Sequence, residues 1–168
     1  YLGGTGGDEG YAIAVDAAHG TVYVGGDFST VGSATRHRLA AVDAVSGAVT
    51  AWSHQADGRM RTMDVSASRL YAGGQFTGVD GASRDRLAAF SLADGRLDQA
   101  WRPAACDRVY TVKVSPSGDR VYVRGRGRVR RAPGRLATRR QPQVPHRADR
   151  RRRPGRGRPG RRGLRRRP

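Results

Sequence analysis

The sequence of 168 residues contains no asparagine, one lysine, one isoleucine and one cysteine. The single Cys106 excludes a disulfide bond within the chain. No apolar run approaches the ~20 residues that a membrane-spanning helix needs, so no membrane span is expected. Arginine, glycine and alanine, whose codons can consist of G and C alone, are abundant instead. This bias is typical of a GC-rich gene.

Negative charge is almost absent from the C-terminal part of the chain. Residues 124–168 contain 20 arginines and one acid, whereas residues 1–123 contain 12 Lys or Arg and 13 Asp or Glu, so the net charge of +18 comes from the C-terminal part. This part has no aromatic residue and cannot bury enough apolar surface to offset a backbone ordering cost of about 1–2 kcal/mol per residue. We predict a globular part over residues 1–123 and a disordered Arg-rich tail over residues 124–168.

Two stretches of the chain match each other without a gap. Residues 22–43 read VYVGGDFSTVGSATRHRLAAVD, and residues 70–91 read LYAGGQFTGVDGASRDRLAAFS. Self-similarity at a period of about 20–50 residues indicates a repeat architecture, in which each unit buries its apolar face against its neighbours. We predict repeats at about residues 11–58 and 59–107, and a truncated repeat at residues 108–123.

Each repeat is predicted to contain four short β-strands. The first alternates apolar and polar residues, with Tyr11, Ile13 and Val15 as the apolar set of the first repeat, which indicates one buried and one solvated face. The turn after it changes in length by two residues and never by one, which keeps the next strand facing the same way. The fourth strand is expected to end at Trp52 and at Trp101.

Four antiparallel strands in a repeat of this length are typical of a β-propeller blade, and a solenoid is the competing architecture. The predicted fold class is all-β, a partial β-propeller of about two and a half four-stranded blades. Leu2 lies as far before Val15 as Trp52 lies before Val65, so Tyr1-Leu2 is expected to end an earlier repeat of a longer protein. Exposed strand edges and an open inter-blade face predict marginal stability or aggregation.

The motif carried by YVGGDFSTVG, by RLAAVD at residues 38–43 and by Trp52 resembles the delta-sixty repeat family. The resemblance covers residues 1–123 and implies β-propeller-like repeats of secreted or cell-envelope bacterial proteins. It implies a scaffold or recognition role and supplies no catalytic residue. In the third copy the sequence Arg124-Gly-Arg-Gly127 replaces Gly-Gly-x-Phe. The recurring residues of the motif are Gly25, Gly26, Phe28, Arg38, Trp52, Gly73, Gly74, Phe76, Arg86 and Trp101.

The Gly-Gly-x-Phe element allows two interpretations. A phosphate-binding loop needs a helix N-terminus behind it, and no helical pattern follows these glycines. The favoured interpretation is a bulge or tight corner, with Phe28 and Phe76 packed between blades.

The arginines also recur at constant offsets, as Arg36 and Arg38 and then Arg84 and Arg86. They could form an anion-binding ring, because a guanidinium group matches a carboxylate or phosphate. Pairing with nearby carboxylates, or solvation, is the favoured interpretation.

No pattern in the chain indicates catalysis. His19, His37, His54 and His146 do not occur at metal-ligand spacing, and no Ser or Cys lies in a nucleophile-elbow context. The segment that ends at Trp52 also resembles the docking element of quinoprotein dehydrogenase propellers, with a spacing that is one residue too long. We predict no enzyme, no metal and no cofactor, with a quinone-dependent oxidoreductase as a weaker alternative.

The Arg-rich tail has two interpretations. Twenty arginines would bind nucleic acid or an anionic surface with steep salt dependence. The favoured alternative is a frameshift, because the repeat stops within a blade and Arg, Gly and Pro follow. The predicted function is a non-catalytic β-propeller scaffold or binding module with an unknown ligand or protein partner and with the remaining blades as neighbours; nucleic-acid binding is the alternative if the tail is genuine.

Overall fold

The computed structural model describes residues 2–3, 9–130 and 136–138, and every regular element in these ranges is a β-strand. Among these residues there is no helix of the length and apolar character needed to cross a membrane. The all-β prediction is confirmed. The strands are β1 (Leu2–Gly3), β2 (Glu9–Asp16), β3 (Thr21–Asp27), β4 (Thr30–Val31), β5 (Ala34–Thr35), β6 (Leu39–Asp43), β7 (Met60–Val65), β8 (Arg69–Gly74), β9 (Gly78–Val79), β10 (Ala82–Ser83), β11 (Leu87–Ser91), β12 (Ala104–Ala105), β13 (Val109–Val114), β14 (Val121–Gly125), β15 (Val129–Arg130) and β16 (Leu136–Thr138).

Three sheets of three strands form the body of the molecule. The first sheet is β2-β3-β6 and the second is β7-β8-β11, and both are antiparallel throughout. The third sheet is β13-β14-β16, in which β16 runs parallel to β14. The pairing registers match position by position: Ile13–Val24–Ala40 in the first sheet, Met63–Ala72–Ala88 in the second and Val112–Val123 in the third.

The fourth strand predicted for each repeat is reduced to a single bridge, which joins Val42 to Val49 in one case and Phe90 to Leu97 in the other. Side chains then turn the chain away from the sheet. The Asp98 carboxylate accepts hydrogen bonds from the main-chain N–H groups of Ala100 and Trp101. Such local bonds compete with a strand ladder, so the strand ends there.

Short strands lie in the connections between the longer ones, and β1, β4 and β5 form a small three-stranded sheet of their own. Strands β4 and β5 form a hairpin, as do β9 and β10, and β12 pairs with β15. Leu2 pairs with Val31, and Ala56 forms a bridge to Val79, which is the residue that matches Val31 in the second repeat. Leu2 therefore matches Ala56, which follows Trp52, rather than Trp52 itself as the spacing predicted.

The sheets pack face to face through two apolar clusters. One lies between the first and second sheets and contains Tyr23, Leu39, Met63, Leu70 and Phe90 among its buried residues. The other lies between the second and third sheets and includes Tyr71, Leu87, Trp101, Val112 and Val121. Each inner sheet face is therefore covered by its neighbour.

The buried face of β2 is not the predicted one. Ala12, Ala14 and Asp16 are buried, whereas Ile13 and Val15 are 69% and 57% exposed. The alternation is present, but Ile13 and Val15 lie on the exposed face of the strand. Hydrophobicity alone cannot indicate which face has a neighbour.

Ordered strands continue beyond the predicted boundary at residue 123. Strand β14 runs to Gly125, Val129–Arg130 pairs with β12, and Leu136–Thr138 pairs with β14. The pairing uses main-chain groups, so arginine side chains do not prevent it. The rest of the predicted tail, residues 131–135 and 139–168, lies outside the described residues, as does His146.

Candidate functional site

The glycine pairs lie where β-strands approach each other most closely. A Cβ on Gly26 would lie 2.1 Å from the carbonyl oxygen of Glu9, and one on Gly74 would lie 2.1 Å from that of Arg59. The register of each sheet shifts at these points, which marks a β-bulge. Each second glycine also donates its N–H to a recurring arginine, Gly26 to the Arg38 oxygen and Gly74 to the Arg86 oxygen, both at 3.1 Å.

The recurring arginines bind the main chain. Arg38 and Arg86 have left-handed φ angles of 67° and 65°. Their Nη1 groups donate to the Ala56 oxygen at 2.9 Å and to the Ala105 oxygen at 2.8 Å. Each bond ties one sheet to the segment that enters the next.

The other arginine pair also donates to carbonyl groups. Arg36 Nη2 lies 2.8 Å from the Thr50 oxygen, and the buried Arg84 contacts the Ser83 and Asp98 oxygens at 2.8 and 3.2 Å. Burial lowers the pKa of Arg84, and the positive charge of Arg102 lowers it further. The contacts of these arginines are not those of an anion-binding ring.

The two tryptophans each meet a tyrosine edge-on, with centroid distances of 5.1 Å for Tyr23–Trp52 and for Tyr71–Trp101. Trp52 also contacts His54 and Phe90, and its indole N–H donates to the Gly95 oxygen at 3.0 Å. Phe28 and Phe76 are buried at 4% and 0% exposure. Phe76 and the two Tyr–Trp pairs lie in the contacts between sheets, whereas Phe28 lies in a separate small cluster of the first sheet and is not packed between two sheets.

An open cleft of about 810 Å³ lies where the loops of the first and second sheets meet. The segment after Trp52 forms one wall, and the β9–β10 hairpin forms the other. Arginine, hydroxyl, amide and carboxylate groups line it, with one alanine. The lining residues are His37, Arg38, Gln55, Ala56, Asp57, Thr77, Gly78, Asp80, Gly81 and Ser83.

Asp57 joins the two walls of this cleft. Its carboxylate accepts hydrogen bonds from the Thr77 N–H at 2.7 Å and from the Thr77 hydroxyl at 2.6 Å. Burial alone would raise the pKa of Asp57, but the bonds from Thr77 and Gly78 outweigh it and lower that pKa below the usual value. Asp57 is therefore a fixed negative charge at neutral pH.

His54 and Asp80 form a second link across the cleft. His54 Nδ1 lies 2.5 Å from the Asp80 carboxylate, and Nε2 lies 2.7 Å from the Gly95 oxygen. The Gln55 N–H also donates to Asp80. Because both ring nitrogens have partners, His54 has no free nitrogen with which to take a proton from a substrate.

No cluster of three or more metal-ligating side chains occurs in the part of the chain that the structure describes. His19 pairs with Asp16 at 2.7 Å, and His37 lies in the cleft. The arrangement of the cleft suits reversible contact with a polar ligand.

Sequence comparison within the chain missed the cleft, because its residues do not recur. At the matching positions, Asp57 corresponds to Cys106, Asp80 to Gly32 and His54 to Pro103. The motif residues Arg38 and Trp52 lie at or beside the cleft. Glycines 25 and 73 and Phe28 lie in the packing instead.

No protein-family model matches this chain, and no curated protein matches it.

Proposed function

We propose that the chain is a non-catalytic repeat scaffold of the β-propeller type, with the three sheets as partial blades, and that it binds a polar ligand in the cleft. The matching registers of the sheets and the repeated Tyr–Trp contact support the blade interpretation. The resemblance to delta-sixty repeats supports a location in the cell envelope or outside the cell. Further blades and a ligand or protein are its expected partners.

The observation that carries this proposal is that the recurring arginines and His54 are hydrogen-bonded within the protein. Arg38 and Arg86 bind main-chain carbonyls, and both nitrogens of His54 are bonded. The cleft is the open polar surface that this network holds in place, and the charged groups Asp57, Asp80 and Arg38 line it. A ligand that offers amide, hydroxyl and ammonium or carboxylate groups matches these residues.

Trp52 provides a direct test, because it meets His54 edge-on, and His54 contacts Asp80 of the cleft wall. In a Trp101→Phe chain, Trp52 is the only tryptophan, so its emission reports the cleft. Titration with soluble peptidoglycan fragments and short charged peptides is expected to give a saturable, reversible change without conversion of the ligand. Asp80→Ala removes one wall group, and we expect it to weaken binding about tenfold, equivalent to one lost hydrogen bond to a charged group.

Two results would oppose the proposal. One is chemical conversion of a bound fragment. The other is a titration that is unchanged by Asp80→Ala. A matched control, Asp94→Ala, removes an exposed carboxylate outside the cleft and is expected to leave binding unchanged.

Binding of nucleic acid is a second candidate function, favoured by the end of the described chain. Arg124, Arg126, Arg128 and Arg130 are all exposed. Tyr122, 41% exposed, lies directly opposite Lys113 in the third sheet. Tyrosine beside cations is the combination that stacks bases and neutralises phosphates.

Oligo(dT) and heparin distinguish base stacking from charge alone. We expect the full chain to bind both, with an affinity that falls steeply as salt rises. Tyr122→Ala should weaken oligo(dT) binding about tenfold, because a base–aromatic stack contributes roughly 1–3 kcal/mol, and should leave heparin binding unchanged. Fluorescence anisotropy measures both. Equal affinities of the two chains for oligo(dT) would exclude a role for Tyr122.

A further inference from the structure

The outer face of the first sheet is the side turned away from the second sheet. Its apolar residues match those that the second sheet packs against the first. Phe28, Val31 and Ala40 form a small buried cluster there, with Val24 and Val42 packed against it. The matching residues of the second sheet all belong to the core that it shares with the first sheet, and they are Phe76, Val79, Ala88, Ala72 and Phe90.

Exposure of the first strand shows the same difference. Ile13 is 69% exposed, whereas Met63 and Val112, at the matching positions of the second and third sheets, are 4% and 0% exposed. The same face is thus covered in two sheets, whereas in the first sheet it is exposed along β2. An open face of β-branched residues is a typical interaction surface.

The covering face has its own chemistry in both interfaces of the structure. It presents one tyrosine and one glycine in each interface, Tyr23 and Gly25 in the first sheet and Tyr71 and Gly73 in the second. Its glycine is a steric requirement. A Cβ on Gly25 would lie 2.9 Å from Met60 Cγ, and one on Gly73 would lie 2.7 Å from Val109 Cγ1.

In the third sheet, Arg124 takes the place of this glycine. Arg124 pairs with Thr111 as Gly73 pairs with Thr62 and as Gly25 pairs with Ala12. A guanidinium side chain therefore stands where the other two sheets allow close approach. On the same face, Tyr122 is 41% exposed, whereas Tyr23 and Tyr71, each covered by the next sheet, are 7% and 6% exposed.

We propose that the outer faces of the first and third sheets differ in whether a further sheet can pack on them. The face of Ile13, Val15 and Val24 accepts a further sheet of the first sheet's own type, one that presents a glycine and a tyrosine. The face of Tyr122 is closed to such a sheet by Arg124. The proposal rests on the repeat-scaffold function proposed above and names its partner surface, the face of Ile13, Val15 and Val24.

A tandem chain tests the accepting face. Residues 9–58 are duplicated directly after Gly58, so that the added sheet enters the next one as the first sheet enters the second. Ile13→Cys is placed in the inner copy, in a Cys106→Ser background because Cys106 is exposed. We expect its reaction with a thiol reagent to be about 100-fold slower than that of Ile13→Cys in the parent chain, because buried groups react through opening.

The matched control carries Gly25→Arg in the outer copy, whose sheet covers the Ile13→Cys position, and so reproduces Arg124. In that tandem the thiol is expected to react as fast as in the parent. Rapid reaction in the unmodified tandem, or equal protection in both tandems, would overturn the proposal; an added sheet that does not fold, seen by circular dichroism, would also count against it. The Trp52 titration is independent of either tandem, so a failure of cleft binding is seen separately.

Discussion

Replacing Gly74 with alanine is expected to reduce the free energy of unfolding by more than about 3 kcal/mol, at the upper end of the cost of overpacking. The new Cβ would lie 2.1 Å from the carbonyl oxygen of Arg59. This oxygen belongs to the main chain and cannot rotate away. It also accepts the N–H of Gln75 at 2.8 Å, so its displacement breaks a hydrogen bond at the bulge.

The expected loss is a large part of the total free energy of unfolding. A domain of this size has a stability of about 5–15 kcal/mol, so Gly74→Ala should move the urea midpoint of the full chain strongly or prevent folding. Gly26→Ala should behave in the same way, since its Cβ would meet the Glu9 oxygen at the same distance of 2.1 Å.

Glycines at looser positions provide the controls. A Cβ on Gly125 would meet the Arg108 oxygen at 2.7 Å, and one on Gly78 would meet Asp57 Oδ2 at 3.3 Å. We expect the loss to fall in this order, with Gly78→Ala within about 1 kcal/mol of the parent. If Gly74→Ala and Gly78→Ala had the same urea midpoint, close packing of the bulge would not explain the glycine pair.

Local patterns in the sequence predicted the all-β fold, and they did so for a physical reason. Alternation in β2 and the even spacing of turns are properties of single strands and hairpins, which short-range chemistry determines. The ends of the fourth strands were not predictable in this way. The Asp98 carboxylate and the Thr50 hydroxyl accept hydrogen bonds from nearby main-chain N–H groups. The alternation of apolar and polar residues does not indicate that these local bonds replace those of a fourth strand.

The candidate site was predictable only where it recurs. Arg38 and Trp52 were found because Arg86 and Trp101 repeat them, and both pairs make the same contacts in the two sheets. Asp57 and His54 have no counterpart in the second repeat. The residues that distinguish the cleft therefore carry no repeat signal, and only the fold brings them together.

Truncation of Phe76 is expected to have the second large effect. Phe76 is fully buried in the cluster between the first and second sheets, beside Met60 and Leu70. Phe76→Ala removes an aromatic ring from a packed interior, and the cavity left between two sheets cannot collapse easily. Such substitutions cost about 3–5 kcal/mol, and urea denaturation of the full chain measures the loss.

Phe28→Ala provides the comparison at the matching position of the first sheet. Phe28 is 4% exposed, but it packs in a cluster with only two other buried residues, Val31 and Ala40. The cavity left there lies under an open face that can settle or admit water, so the cavity part of the cost is small. We expect Phe28→Ala to cost at least about 1 kcal/mol less than Phe76→Ala, because transfer and cavity contributions add only at the covered site.

Equal losses would indicate that the two faces are equally enclosed, which would contradict an accepting face on the first sheet. A difference that disappears when residues 9–58 are duplicated would show that the added sheet, and no intrinsic property of Phe28, completes that core.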